Sequence, residues 1–256
     1  MPFTFSHPAV VLPATYLPKK YYSLSALIVG SMTPDFEYFI RMKDYSKYSH
    51  TVTGVFWFDL PLGLILLFIY HNVVRDTLIS YLPFVLNVRL SPFQNFNWNR
   101  YFFKNILVVL ISLLVGIATH LLWDSFTHSG DYFAEVIPVL EQKTWLMDRA
   151  VTNTNILQYA CSVVGGIIMI LYVLHFPEGR FTGKPNILNF WLMVMLIMIM
   201  VLNARLYLDS ILHHQRHEDI IVTMISGSLI GICVMSVLLN NTQIATNKKF
   251  RKVINF

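Results

Sequence analysis

Hydrophobic residues in this chain fall into long unbroken runs rather than the alternating or three-to-four spacing of half-buried elements. Five runs are long enough to cross a bilayer core of about 30 Å at about 1.5 Å per residue: roughly residues 52–71, 103–123, 156–176, 187–208 and 220–239. The stretch 24–32 is apolar but too short to span, and it stops at "TPDFE", so it is expected to be a buried or re-entrant piece. "RDTLISYLPFVLNVRLSPF" mixes polar and apolar positions and carries Arg75 and Arg89, the pattern of an interfacial helix or loop lying along the headgroups. The expected fold class is all-α: a polytopic membrane helical bundle of five transmembrane helices with re-entrant or interfacial additions.

Composition points the same way. With 55% hydrophobic and 13% charged residues among 256, and a mean hydropathy of +0.54, the chain lies outside the soluble range. No internal repeat, low-complexity tract or long linker divides it, so one integral membrane domain, 1–256, is expected. Within it, 1–51 is a segment of short buried helices bearing candidate ligands, 52–240 the transmembrane bundle and 241–256 a basic tail. No basic leader with a small-residue cleavage site opens the chain, and insertion is expected to rely on the spans. Cys161 and Cys233 both fall inside spans and read as core filler.

The net charge of +5 gathers at the carboxyl end in "NKKFRK". Beside a final span, such a cluster is a cytoplasmic juxtamembrane anchor, and nucleic-acid binding is not expected. Five crossings then put the opposite face, where residues 1–51 lie, outside the cytoplasm, although Lys19, Lys20, Arg41, Lys43 and Lys47 on that face weaken the charge bias. The expected location is the cytoplasmic membrane of a bacterium, spanned several times.

Against this apolar background, "HLLWDSFTH" stands out: His120, Asp124 and His128 recur at steps of four where hydrocarbon favours leucine. Residues four apart share a helix face and can reach one ion or two neighbouring ions. An ionisable group within a span is costly, about 2.5–3.5 kcal/mol for Asp at a helix centre, and such groups mark function more often than packing. Topology adds an independent test. Seven of the nine histidines, with Asp35 and Asp124, are predicted on one face of the membrane, while His71 and His175 end spans on the other.

Three further stretches bring ligand chemistry to that face. In "GSMTPDFEYFI", Pro34 turns the chain and Asp35 begins a new element, where the backbone favours a carboxylate. Glu37 falls on another face and is expected to be exposed to solvent. In "KYSHTVTG", His50 stands fifteen residues beyond Asp35, with Ser49, Thr51 and Thr53 as hydrogen bonders able to fix an imidazole tautomer. His7, in "FTFSHPAV", would tie the amino-terminal segment onto the same site. Taken singly, Asp35 also suits helix capping and His50 a structural interfacial role; the shared face is what joins them.

These motifs carry a resemblance. The start "MPFTFSHPA", the "PD" at Asp35, the "SH" at His50 and the HxxxD followed by "DSFTHSG" resemble an uncharacterised bacterial integral-membrane family. That family is similar in turn to membrane-bound metal-dependent hydrolases of the LexA-regulated inner-membrane type. More distantly, the order of residues is similar to zinc-dependent phospholipase C. The resemblance implies metal ligation by His7, Asp35, His50, His120, Asp124 and His128. It extends to a His-x-x-x-Glu pair at His214 and Glu218, with His213 and His217 beside them, although "HHQRHE" comes far later in the chain than the corresponding phospholipase motif and is also readable as a wet interfacial loop.

Mixed His and Asp ligands suit zinc or another divalent ion of similar softness. The expected chemistry is metal-dependent hydrolysis of a phosphoester, with Asp35 and Asp124 as the candidate catalytic carboxylates and membrane lipids as candidate substrates. Two alternatives stand beside it. A metal-ion transporter or sensor needs ligands along a transverse path, and the spans after Ile156 are nearly free of them; a structural metal site needs only a closed ligand shell. Asp59, in "FWFDLPLG", is expected to pair with Arg100, Lys104 or Arg205 or to relieve backbone strain, and Gln158 with Ser162 to bond between helices. No phosphate-binding glycine loop, GxSxG, CxxC or haem-attachment motif occurs.

Overall fold

The computed structural model describes residues 4–211 and 217–254, with side chains over 4–208 and 219–240. Among the described residues, five helices are long and apolar enough to cross a membrane: Val52–Ser80, Ile106–Val136, Asn153–Leu174, Ile187–Leu208 and Asp219–Asn240. The protein is therefore a multi-pass, all-α membrane protein in architecture. Lipid favours this solution because a helix satisfies all its backbone hydrogen bonds internally.

The first span continues past His71 to Ser80, through π-helical turns at Val55–Asp59 and Tyr70–Val74. The stretch beginning at Arg75 is thus partly the end of a span rather than wholly interfacial. Arg75 is buried, its guanidinium donating to Asp76 at 2.6 Å and lying 3.1 Å from His71 Nδ1. Neutralised locally, it has no need to reach the headgroups. After Pro83 the chain forms a separate short helix, Phe84–Leu90.

The chain folds as two compact units. The first comprises Met1–Glu37, Ser46–Leu67 and Asn99–Tyr172. Its amino-terminal segment, Thr4–Tyr16, is a 3-10 helix in which Pro8 and Pro13 interrupt regular α-helical bonding. The short helix Leu24–Gly30 packs against the second span, Ile106–Thr127, with almost no side chain between them. Gly30 and Gly116 make this possible, since a Cβ on Gly116 would collide with the carbonyl oxygen of Leu27 and one on Gly30 with that of Leu113. The 3-10 turn Thr33–Asp35 follows directly, so the close approach fixes where Asp35 emerges. An antiparallel hairpin, Lys143–Leu146 with Arg149–Thr152, turns through Met147 and Asp148, both at positive φ (44° and 63°), and precedes the third span. Lacking an Asn-Gly or Asp-Gly turn, it has no strong hairpin signal in the sequence.

The second unit comprises Tyr38–Tyr45, Phe68–Trp98 and Val173–Phe256. Its long helices Ile187–Ile211 and His217–Ile254 pack on each other. Ser226 donates to the Phe39 carbonyl at 2.8 Å, Thr77 donates to the Asn240 side chain at 2.9 Å, and His71 stacks on Trp98 with centroids 4.2 Å apart.

Candidate metal centre

Three parts of the first unit meet at one point: the 3-10 turn with Asp35, the loop 46–51 with His50, and the last turns of the second span with His120 and Asp124. One donor atom from each of these four residues lies within 4.8 Å of the others. His120 Nε2 is 3.2 Å from Asp124 Oδ2, 3.5 Å from Asp35 Oδ1 and 3.3 Å from His50 Nε2. His50 Nε2 is 3.5 Å from Asp124 Oδ2 and 3.7 Å from Asp35 Oδ1. A tetrahedral ion with N and O ligands at 2.0–2.2 Å requires donor separations of about 3.3–3.6 Å, so these five distances suit a bound metal ion, while the group as a whole spreads to 4.8 Å. Asp35, His120 and Asp124 are buried.

Three of the four donors are aimed by a partner behind them. His120 Nδ1 lies 2.7 Å from the Ser31 carbonyl oxygen, which can only accept, so Nδ1 carries the proton and the Nε2 lone pair faces the cluster. Ser49 Oγ sits 2.9 Å from His50 Nδ1, leaving the same nitrogen, Nε2, turned inward. Thr4 donates to Asp35 Oδ2 at 2.6 Å, so the other oxygen, Oδ1, is the one presented. Thr51 and Thr53 do not serve the imidazole: Thr51 instead caps the first span, accepting from the Gly54 amide at 2.9 Å.

His50 adopts φ 61°, the left-handed region that a non-glycine residue enters at a cost of about 1–3 kcal/mol. The loop is held in that shape by Glu37, which is buried rather than exposed to solvent. Its carboxylate accepts from the backbone amides of Lys47 (2.9 Å), Tyr48 (2.9 Å) and Ser49 (2.7 Å). Glu37 reads as exposed in sequence because its helix is only six residues, Phe36–Arg41, too short to reveal which face a folded-back loop will cover.

A second layer adjoins the four donors through the other oxygen of Asp124. His7 Nε2 lies 3.7 Å from Asp124 Oδ1, and His128 Nδ1 lies 3.8 Å from it. The His7 ring stacks on that of His120 at 4.1 Å. Both nitrogens of His7, and Asp124 Oδ1, are buried without a hydrogen-bond partner among the described residues. Such orphaned donors and acceptors are costly, and a cation between His7 Nε2 and Asp124 Oδ1 would satisfy those two atoms. His128 is less committed. Gln158 Nε2 lies 2.9 Å from its Nε2, and its Nδ1 also lies 3.3 Å from the Asp124 carbonyl, so His128 frees a lone pair for a cation only with the Gln158 amide turned to accept. Gln158 is therefore a neighbour of the site, while Ser162 bonds back to the Gln158 carbonyl within its own helix.

The electrostatics are those of a site built for positive charge. Burial disfavours the ionised form of Asp35, yet His120 and His50 overcome it and hold the carboxyl well below its ordinary range. Burial likewise lowers His50, but hydrogen bonds to the Asp124 and Asp35 carboxylates reverse this and raise it to about 9. His7 goes the other way: burial, followed by the repulsion of His120, lowers it to about 4, so it is a neutral lone-pair donor.

Asp59, also buried, has neither oxygen hydrogen-bonded among the described residues, and its expected pairing with Arg100, Lys104 or Arg205 is not seen. It closes the π-helical turn of the first span, whose altered backbone path turns the side chain inward. His213 and His214 lie outside the described residues, as do the side chains of His217 and Glu218.

Fold and site together define a helical integral-membrane protein with a buried His/Asp group able to hold a metal ion. The chain belongs to a family whose model, described as a domain of unknown function (DUF4184), matches residues 1–237. No curated protein and no solved structure matches it.

Proposed function

We propose that this protein is a membrane-embedded metal-dependent hydrolase acting on phosphoesters, with zinc held by Asp35, His50, His120 and Asp124. The observation that carries this reading is the two-sided environment of Asp124. Its Oδ2 completes the four-donor group, while its Oδ1 faces the unpartnered His7. Four protein ligands alone close a tetrahedral shell, as structural zinc sites do. A layer beyond that shell, with too few protein donors to fill a second one, leaves room for water and substrate.

Held by these residues, with Asp124 and His7 facing the open outer layer, a divalent ion would supply activation of water and polarisation of a phosphoryl oxygen. Asp124 then links the two layers, Asp35 is locked by Thr4, and neutral His7 supplies a lone pair to the outer one. The order of His7, Asp35, His50 and the HxxxD pair, similar to that of the membrane-bound hydrolases and zinc-dependent phospholipase C, supports the same assignment. Placement of the site at the ends of spans suits a substrate at headgroup level, and the basic tail favours an extracytoplasmic face of a bacterial inner membrane.

The closed four-donor shell favours one rival, a structural metal that staples the amino-terminal segment to the bundle. The two readings separate in one experiment. Purified protein is assayed for phosphoester hydrolysis with zinc or manganese and after chelation, alongside Asp124→Asn and His7→Ala. A hydrolase shows metal-dependent turnover that His7→Ala reduces while the inner ion is retained. Full metal loading without turnover, with unfolding on chelation, contradicts the proposal.

A further inference from the structure

A groove of about 360 Å³ begins at His7 and Ser6 and is otherwise apolar, walled by Val10, Trp123, Ala160, Val164 and Ile168. All of these belong to the first unit. On the third span, Ala160, Val164 and Ile168 form a single stripe at steps of four. That stripe begins just beyond Gln158, which touches the site through His128, and runs about 12 Å toward the middle of the span at about 1.5 Å per residue. The groove thus has a polar end at His7, in the outer layer of the candidate centre, and an apolar body along the third span, where Val164 and Ile168 are exposed.

We infer that this groove seats one hydrocarbon chain of a membrane lipid whose headgroup phosphoester lies at the metal centre, which makes the substrate class a bilayer lipid rather than a water-soluble phosphoester. The inference rests on the hydrolase reading and deepens it. Continuity decides the occupant: His7 both bounds the groove and lies 3.7 Å from Asp124, so a chain in the groove delivers its headgroup to the cluster. Lipid tails are as apolar as the groove walls, so chain burial supplies little driving force. The headgroup anchors the lipid; the groove sets which chain fits and where the ester bond stops.

The test uses the full chain in vesicles containing a phosphatidylglycerol with a photoactivatable diazirine at mid-chain, and maps the crosslinks by mass spectrometry. Ala160, Val164 and Ile168 are expected to label in excess of Val163 and Ile167, which are exposed on the same helix outside the groove. Ala160→Trp, which fills the groove, lowers that excess about tenfold, whereas Val163→Trp leaves it unchanged. Metal content and helicity, measured on each variant, show that the fold persists; if Ala160→Trp does not fold, Val164→Phe takes its place. Uniform labelling of the span, or an excess that survives a folded groove-filling variant, overturns the inference. A parent that labels uniformly yet binds metal and cleaves water-soluble phosphoesters overturns the groove alone, whereas a parent without metal overturns the hydrolase reading as well.

Discussion

Replacing Glu37 by Gln probes the site without touching any ligand. The carboxylate takes the Tyr48 and Ser49 amides on one oxygen and the Lys47 amide on the other. Glutamine has the same shape but one acceptor oxygen. The best orientation keeps the Tyr48 and Ser49 bonds as neutral ones and sets an NH2 group against the Lys47 amide. An unsatisfied buried donor costs about 1–3 kcal/mol, and converting two charge-assisted bonds to neutral ones adds about 1–2 kcal/mol, so the loop loses roughly 2–5 kcal/mol. That loop holds His50 at its strained φ of 61°, and relaxing it swings Nε2 away from Asp35 and Asp124. Part of the loss is absorbed by loop movement; the rest weakens zinc binding by about 10–100-fold, the usual effect of removing an outer-shell partner. Competition against a chromophoric chelator measures it directly. In a His50→Ala background the Glu37→Gln effect should vanish, because the two act through one contact. Affinity of Glu37→Gln within about twofold of the parent refutes the reasoning.

Other consequences are equally specific. A divalent ion bound by the native state alone would stabilise it by about 4 kcal/mol at a thousandfold excess over its dissociation constant, so chelation should lower the thermal midpoint measurably; an unchanged midpoint contradicts a bound ion. The proton on His50, held up to about 9 by the two carboxylates, stabilises the metal-free protein fully below 6.5 and is lost as pH rises through about 9. A metal ion must displace that proton, so its affinity should climb with pH over this window, about tenfold per unit for each proton released, and calorimetry in buffers of different ionisation enthalpy counts those protons. Gly116→Ala forces the helix Leu24–Gly30 off the second span, costing at least about 1–3 kcal/mol and pulling the Ser31 carbonyl from His120; chemical denaturation and metal titration should both register it.

The spans were readable because lipid demands unbroken apolar runs, and the ligands because His120 and Asp124 interrupt one of them. Asp35 and His50 needed topology to be joined to that pair, which five crossings supplied. What could not be read acts across the fold without a sequence period. Glu37 looks like any surface acid until the loop 46–51 folds over it, and Thr4 is an ordinary threonine until it meets Asp35 Oδ2. Gln158 bonds between helices as its sequence suggests, but nothing in the sequence names its partner, His128, thirty residues away. The burial of Arg75 and the hairpin at 143–152 were missed for the same reason: an adjacent aspartate and a turn of non-glycine residues at positive φ carry little signal on their own.

The central claim is that Asp35, His50, His120 and Asp124 together hold a divalent ion. Elemental analysis of the purified parent beside His120→Ala and Asp35→Ala tests it most directly. The account predicts at least one equivalent of metal in the parent and loss of the inner ion in both variants. A parent free of metal, or variants that retain all of it while remaining folded, contradicts it.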